Sequence, residues 1–287
     1  MTRKRLGMAV SVSLALCLVL VLAAAGCGSK NEEKPVEPEK PKLSGTLKLS
    51  GSTTVLPLAQ EAAEMFMDEN PDVTVNVQGG GSSVGISNVA EGVVDIGDAS
   101  RGLKDEEKNL GLVDHEIALD VIAVIVHKDV PLDNLTAQQV HDIFVGKIAN
   151  WKEVGGPDAA IAVVIRDEAS GTREIFDEKV MKKDKPKAGA IECNSNGIVR
   201  QTVSSTPNSI GYISLGYLDS SVKALKYEGV KASKETAVDN SYPISRYLHM
   251  FTKGEATGLA KAFIDFVLSD EFQNEVVAKE YIPMTEI

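Results

Sequence analysis

Hydroxyl side chains and glycines cluster at four points of the chain: Ser52-Thr53-Thr54, Gly79-Gly80-Gly81-Ser82-Ser83, Ala99-Ser100-Arg101, and Arg166 followed by Ser170-Gly171-Thr172. Hydroxyls donate hydrogen bonds, glycine lets a backbone approach a ligand closely, and arginine supplies a forked, permanently charged donor. This is the chemistry of anion capture. Three of the turns also open a predicted helix, whose unpaired first-turn N–H groups carry partial positive charge. Brought to one rim, the four turns would enclose a small oxyanion. The sequence has no His-x-x-x-His pair, no paired cysteines and no EF-hand loop, so neither a metal nor a cofactor is expected.

The elements that must position these turns alternate. Thr46–Ser50 predicts a strand, and Val55–Asn70 a helix with Leu56, Ala59, Ala62, Ala63, Phe66 and Met67 at helical spacing. A strand follows at Val73–Val77, a helix at Ser83–Glu91 and a strand at Val93–Gly97. Such a β-α-β-α-β run builds a parallel sheet with its turns at the carboxyl edge, where ligands bind. The apolar run Ile117–Val126 reads as a buried strand long enough to pass between lobes. A second alternating set begins after it: helix Thr136–Phe144, strand Ile161–Ile165, helices Gly171–Met181 and Ser195–Ser204, and strand Ile210–Ser214. Ile244–Phe251 returns as a strand, and helices follow over Glu255–Leu268 and Ser269–Lys279. The expectation is an α/β protein of two lobes joined by two extended hinge crossings. Residues 45–120 with 243–287 form lobe 1, and residues 121–242 form lobe 2. No internal sequence repeat stands out.

The first 26 residues read as a signal peptide, with Arg3, Lys4 and Arg5 ahead of an apolar stretch from Val10 to Ala25. Ala24-Ala25-Gly26-Cys27 resembles a bacterial lipobox, which implies lipidation of Cys27. Residues 27–44, rich in Lys, Glu and Pro, read as a disordered tether. Among the three cysteines only Cys193 then remains in the body, as a small buried hydrophobe, and no internal disulfide is available. The net charge of −11 argues against a nucleic-acid partner. It also means that a captured anion must be held by local donors against an unfavourable long-range field.

The stretches Gly51–Pro57, Gln78–Ser83, Asp95–Arg101 and Arg166–Arg173, with Ser209-Ile210-Gly211-Tyr212, resemble in order and spacing the phosphate-binding proteins of bacterial ABC phosphate uptake systems. The resemblance covers nearly all of Gly45–Ile287. It implies a two-lobe periplasmic-binding-protein fold of the second topological class that closes on inorganic phosphate and delivers it to permease subunits in the membrane. A lipid-anchored monomer on the extracytoplasmic face of the cell membrane is the expected form. Carried over by position, the resemblance implies phosphate contacts from Ser52, Thr53, Thr54, Val55, Ser82, Ser100, Arg101, Arg166, Ser170, Gly171 and Thr172. Glu168 is implied as the acidic partner of the arginine. Some members have an aspartate where Ser100 stands, accepting the phosphate proton. Here the acids nearby are Asp95, Asp98, Asp167 and Glu168, and the acceptor stays open.

Two other readings remain at this stage. Gly81-Ser82-Ser83-Val84-Gly85 matches the G-x-S-x-G nucleophile elbow of serine hydrolases, with Ser83 as nucleophile and His115, His127, His141 or His249 as base. The same fold could instead take sulfate or molybdate. Asp105-Glu106-Glu107 reads as a solvated helix start, and Trp151 as the anchor of a turn.

Overall fold

The computed structural model describes residues 42–287. The expected signal peptide, Cys27 and most of the tether lie outside the described residues. No helix among the described residues is long and apolar enough to cross a membrane.

The chain opens with β1 (Gly45–Gly51), α1 (Leu56–Glu69), β2 (Val73–Gly79), α2 (Ser82–Glu91) and β3 (Ile96–Ala99). Strand β1 runs parallel to both β2 and β3. Helix α1 buries Ala59, Ala62, Ala63 and Phe66 of the expected stripe together with Leu58, while Leu56 and Met67 are half-buried. Strand β3 starts later than the apolar pattern suggests. The cause is the end of α2, where Gly92 turns left-handed (φ +73°) and the Val93 amide still bonds the Asn88 carbonyl at 2.8 Å.

Strand β4 (Leu112–Val126) leads through β5 (Asn134–Leu135) to α3 (Ala137–Phe144), which is opened by a Thr136–Gln139 capping box. A second β-α-β-α-β unit follows: β6 (Ala162–Arg166), α4 (Gly171–Lys179), β7 (Ile191–Cys193), α5 (Asn196–Ser205) and β8 (Ser209–Ser214). After β9 (Lys223–Ala224), β10 (Lys226–Tyr227) and α6 (Lys234–Val238), strand β11 (Ser245–Lys253) returns antiparallel between β3 and β4. The chain closes with α7 (Gly258–Val267), α8 (Asp270–Phe272) and α9 (Ala278–Glu280). The expected last helix is thus interrupted by a π-helical stretch, Gln273–Val277. There the buried Gln273 side chain bonds the Ile117 and Val267 carbonyls and the Met284 amide.

Strand order across the main sheet is β2-β1-β3-β11-β4-β8-β6-β7, with β9 on the flank of β4. Both ends follow one plan. Strand β6 is parallel to β7 and β8 as β1 is to β2 and β3, and each third strand meets an antiparallel neighbour, β11 or β4. A repeat therefore exists in topology although none is visible in sequence. Two large cores match the two units, apart from a small cluster of Ile86, Val89, Ala99 and Phe251. One draws on Leu47 to Ala118 and Leu248 to Tyr281, the other on Leu119 to Ile244 with Ile282. Strands β4 and β11 pass from one core into the other. The result is an α/β, two-lobe periplasmic-binding-protein fold.

A candidate anion-binding cleft

Each of the four turns sits at the carboxyl end of a strand. Gly51 ends β1 with φ +142°, and a Cβ there would lie 2.0 Å from the Asp98 carbonyl oxygen, so only glycine fits. Ser52 then closes the turn ahead of α1, its Oγ accepting from the Thr54 amide at 3.1 Å and the Val55 amide at 3.4 Å. Val55 places its side chain in the core. Thr53 is buried with Oγ1 unpartnered.

Ser82 and Ser100 join the second and third turns. Ser82 Oγ accepts from the Ser100 amide at 3.0 Å and lies 3.2 Å from Ser100 Oγ. From the other lobe, Ser170 caps α4 by accepting from the Arg173 amide at 3.1 Å. Gly171 meets Ser82 and Ser100, and Thr172 Oγ1 lies 3.1 Å from Thr54 Oγ1. All four turns therefore converge, two of them touching across the lobes through hydroxyl groups.

Arg166, at the end of β6, is buried. Its Nε and Nη2 donate to the carbonyls of Cys193 and Asn194 at 3.3 and 3.2 Å, and Nη1 is buried without a partner. Burial pushes this guanidinium below its ordinary value, and the nearby positive charge of Arg246 adds to the shift. Glu168 does not hold it. That side chain is exposed, and the two backbone carbonyls take the role expected of the carboxylate.

Arg101 also departs from expectation. Its guanidinium is turned to carboxylates: Nη1 and Nη2 fork onto Glu107 at 2.6 and 2.8 Å, and Nε lies 2.8 Å from Glu174 on α4. Lys104 joins Glu174 at 3.1 Å, so an ion-pair cluster bridges the lobes. Glu107 is thus no solvated helix residue. It lies in a turn ahead of a single 3₁₀ turn at Lys108–Leu110. Burial works against its charge, yet the bonds from Arg101 and from the Lys104 amide hold its carboxyl below the usual value.

Among the described residues no histidine bonds Ser83. Its Oγ accepts from Arg101 Nη2 at 3.2 Å, while His115 bonds Thr252, His141 bonds Asp142 and Asp184, and His249 bonds Asp114. His127 Nδ1 accepts from the Asp129 amide. The geometry opposes a hydrolase triad. Trp151 is buried in its turn, with Nε1 donating to the Asn208 carbonyl at 3.0 Å, and Cys193 is a buried free thiol.

Four further polar residues reach the cleft that the turns alone do not reveal: Asp120, Asn196, Ser214 and Arg246. Asn196 opens α5 and donates from Nδ2 to Thr54 Oγ1 at 2.9 Å; its Oδ1 accepts from the Ser214 amide at 3.1 Å. Ser214 Oγ donates to Asp120 Oδ1 at 2.7 Å, and Arg246 pairs with Asp120 Oδ2. Burial pushes the Asp120 carboxyl up, opposed by Arg246 and the Ser214 hydroxyl. The topological repeat explains Asn196 and Ser214: they occupy in the second unit the places of Ser82 and Ser100 in the first.

Two α/β lobes closing over a lining of hydroxyls, an asparagine amide and a buried arginine free of carboxylate partners define a solute-binding protein of the periplasmic class. Known proteins agree. The PBP superfamily domain model matches residues 36–271. The phosphate-binding protein PstS of Bacillus subtilis (strain 168) is 42% identical over 250 residues, covering 86% of this chain and 83% of the relative. PstS of Borreliella burgdorferi is 32% identical, covering 82% and 88%. A Clostridium perfringens protein crystallised with bound phosphate has a TM-score of 0.81 at 44% identity, covering 84% of this chain and all of that one. An ABC-type phosphate transport receptor from Vibrio cholerae gives 0.70 at 34% identity, covering 82% and 99%. The chain belongs to the PBP superfamily and, within it, to the PstS family of phosphate-binding proteins.

Proposed function

We propose that this protein captures inorganic phosphate between its lobes and hands it to permease subunits of an ABC transporter, catalysing no reaction itself. In this reading it acts as a monomer held to the extracytoplasmic face of the cell membrane by a lipid on Cys27. The lobes are residues 45–120 with 243–287, and 121–242, divided where the two cores exchange along β4 and β11.

One observation carries the ligand assignment. Hydroxyls of Thr54, Ser82, Ser100 and Thr172 converge where the lobes meet, and Arg166, at the end of β6, keeps Nη1 buried and unpartnered. A dehydrated dianion must regain its solvation from such donors, each charge-assisted bond contributing about 1.5–3 kcal/mol. Neutral donors with little fixed charge also let the ion leave when the lobes part.

Calorimetric titration with phosphate, arsenate, sulfate and molybdate tests the assignment. Tight binding of phosphate and arsenate with no response to sulfate is expected. A preference for sulfate or molybdate would leave the fold intact and overturn the ligand.

A further inference from the structure

Arg246 stands outside the four turns, on the crossing strand β11, yet its side chain reaches the centre of the cleft. Asp120 on β4 is its cross-strand neighbour. Nε and Nη2 both donate to Asp120 Oδ2, at 3.1 and 2.8 Å. Nη2 also lies 3.1 Å from Thr54 Oγ1, at the start of α1, and 3.0 Å from Thr172 Oγ1, in the first turn of α4. One NH₂ group with two hydrogens serves three acceptors, while Nη1, with two hydrogens of its own, is buried with no partner. That imbalance is costly unless a further acceptor sits against Nη1.

Thr54 Oγ1 accepts from Asn196 Nδ2 and Arg246 Nη2, which uses both lone pairs, so its own proton points to Thr172 Oγ1. Thr172 Oγ1 then accepts from Thr54 and Arg246 and is filled in turn. Its proton is left for an acceptor outside the set. The bond from the Ser214 amide to Asn196 Oδ1 fixes which end of that amide faces Thr54. The chain of bonds therefore runs one way and ends in a donor.

We propose that Arg246 is a second anion-contacting arginine of the cleft and couples capture to closure. A dianionic tetrahedral oxyanion would sit against Nη1 and the Thr172 hydroxyl, while Nη2 ties the starts of α1 and α4 to one guanidinium. The pairing with Asp120 keeps that guanidinium fixed to the crossing strands. Arg246 and Asp120 cancel in charge, and Arg166 has no ion-pair partner among the described residues, so the three groups leave one net positive charge for the ligand. This inference rests on the phosphate reading above.

The test compares wild type with Arg246→Lys and with the double variant Arg246→Met/Asp120→Asn, which removes both charges and strands neither. In calorimetry the double variant should bind phosphate at least about tenfold more weakly than wild type. Arg246→Lys should recover only part of that loss, since an ammonium cannot fork onto Asp120 and reach both threonines. A double variant within about threefold of wild type, or a lysine variant equal to wild type, overturns the proposal. Should the double variant fail to fold, a crystal structure of the wild type with phosphate decides. Arg246 Nη1 within hydrogen-bond reach of a phosphate oxygen supports the assignment, and Nη1 beyond that reach refutes it. Wild-type protein that binds no phosphate would refute the preceding reading instead.

Discussion

A Cβ built on Gly171 would lie 2.4 Å from Ser82 Oγ and 2.8 Å from Ser100 Oγ, so Gly171 is a point where the lobes touch and only hydrogen fits. Gly171 is also the first residue of α4, where alanine is a better helix former than glycine by up to about 1 kcal/mol. The Gly171→Ala variant should therefore combine opposite effects. Its unliganded stability in urea should be unchanged or slightly raised, while its phosphate affinity falls at least about tenfold because closure is blocked. Equal affinity in variant and wild type would show that the lobes need not approach this closely.

Arg166 and Ser82 should differ in weight. Arg166→Ala removes a charge that no carboxylate pairs with directly, together with the unpartnered Nη1 group offered to the ligand. A loss of about 100-fold or more in phosphate affinity is expected, against about tenfold for Ser82→Ala, which deletes one neutral hydroxyl. Calorimetry on both variants settles the order, and equal small losses would count against the cleft as described.

The Arg101–Glu174 ion pair bridges the lobes, whereas Arg101–Glu107 lies within one of them. Glu174→Gln should speed phosphate release by up to about fivefold, an effect that shrinks in high salt because the carboxylate is partly exposed. Stopped-flow displacement measures it. The matched Glu107→Gln change should act mainly on the stability of the unliganded protein, and a faster release in that variant alone would reverse the assignment.

Acid should reveal the same cluster. The folded Glu107 carboxyl lies below its ordinary value of 4.5, so its ionised form stabilises the fold. That contribution is complete above the unfolded value and disappears as pH falls through the folded one. Urea midpoints measured downward from pH 5 should therefore drop less steeply in Glu107→Gln than in wild type. Parallel curves would mean that the carboxyl is not held down by Arg101.

Much of this arrangement was legible in the chain because strand-to-helix turns carry their own chemistry. Glycines at Gly51 and Gly79–Gly81, and hydroxyls at helix starts, announce themselves by composition and position. Arg246 and Asp120 lie in extended crossings where no turn draws the eye. The available signal was Asp120 itself, a lone carboxylate inside the apolar run Ile117–Val126, where an unpaired charge would be prohibitive. Asn196 and Ser214 were hidden by divergence, since the repeat survives in strand order but not in residues. Glu168 misled because closeness in sequence says nothing about direction: the chain turns it outward and brings the Cys193 and Asn194 carbonyls to the arginine instead.

Two phenols bear on how the cleft treats its guest. Tyr217 donates to the Thr53 carbonyl at 2.5 Å and Tyr281 to the Thr54 carbonyl at 2.8 Å. Burial pushes Tyr217 up to about 12 and Tyr281 well above its usual value, so both stay protonated at any physiological pH. Carbonyl lone pairs next to an anion would repel it. With each oxygen muffled by a hydroxyl proton, this side of the chamber stays electrically quiet toward negative cargo and offers little foothold to a stray cation.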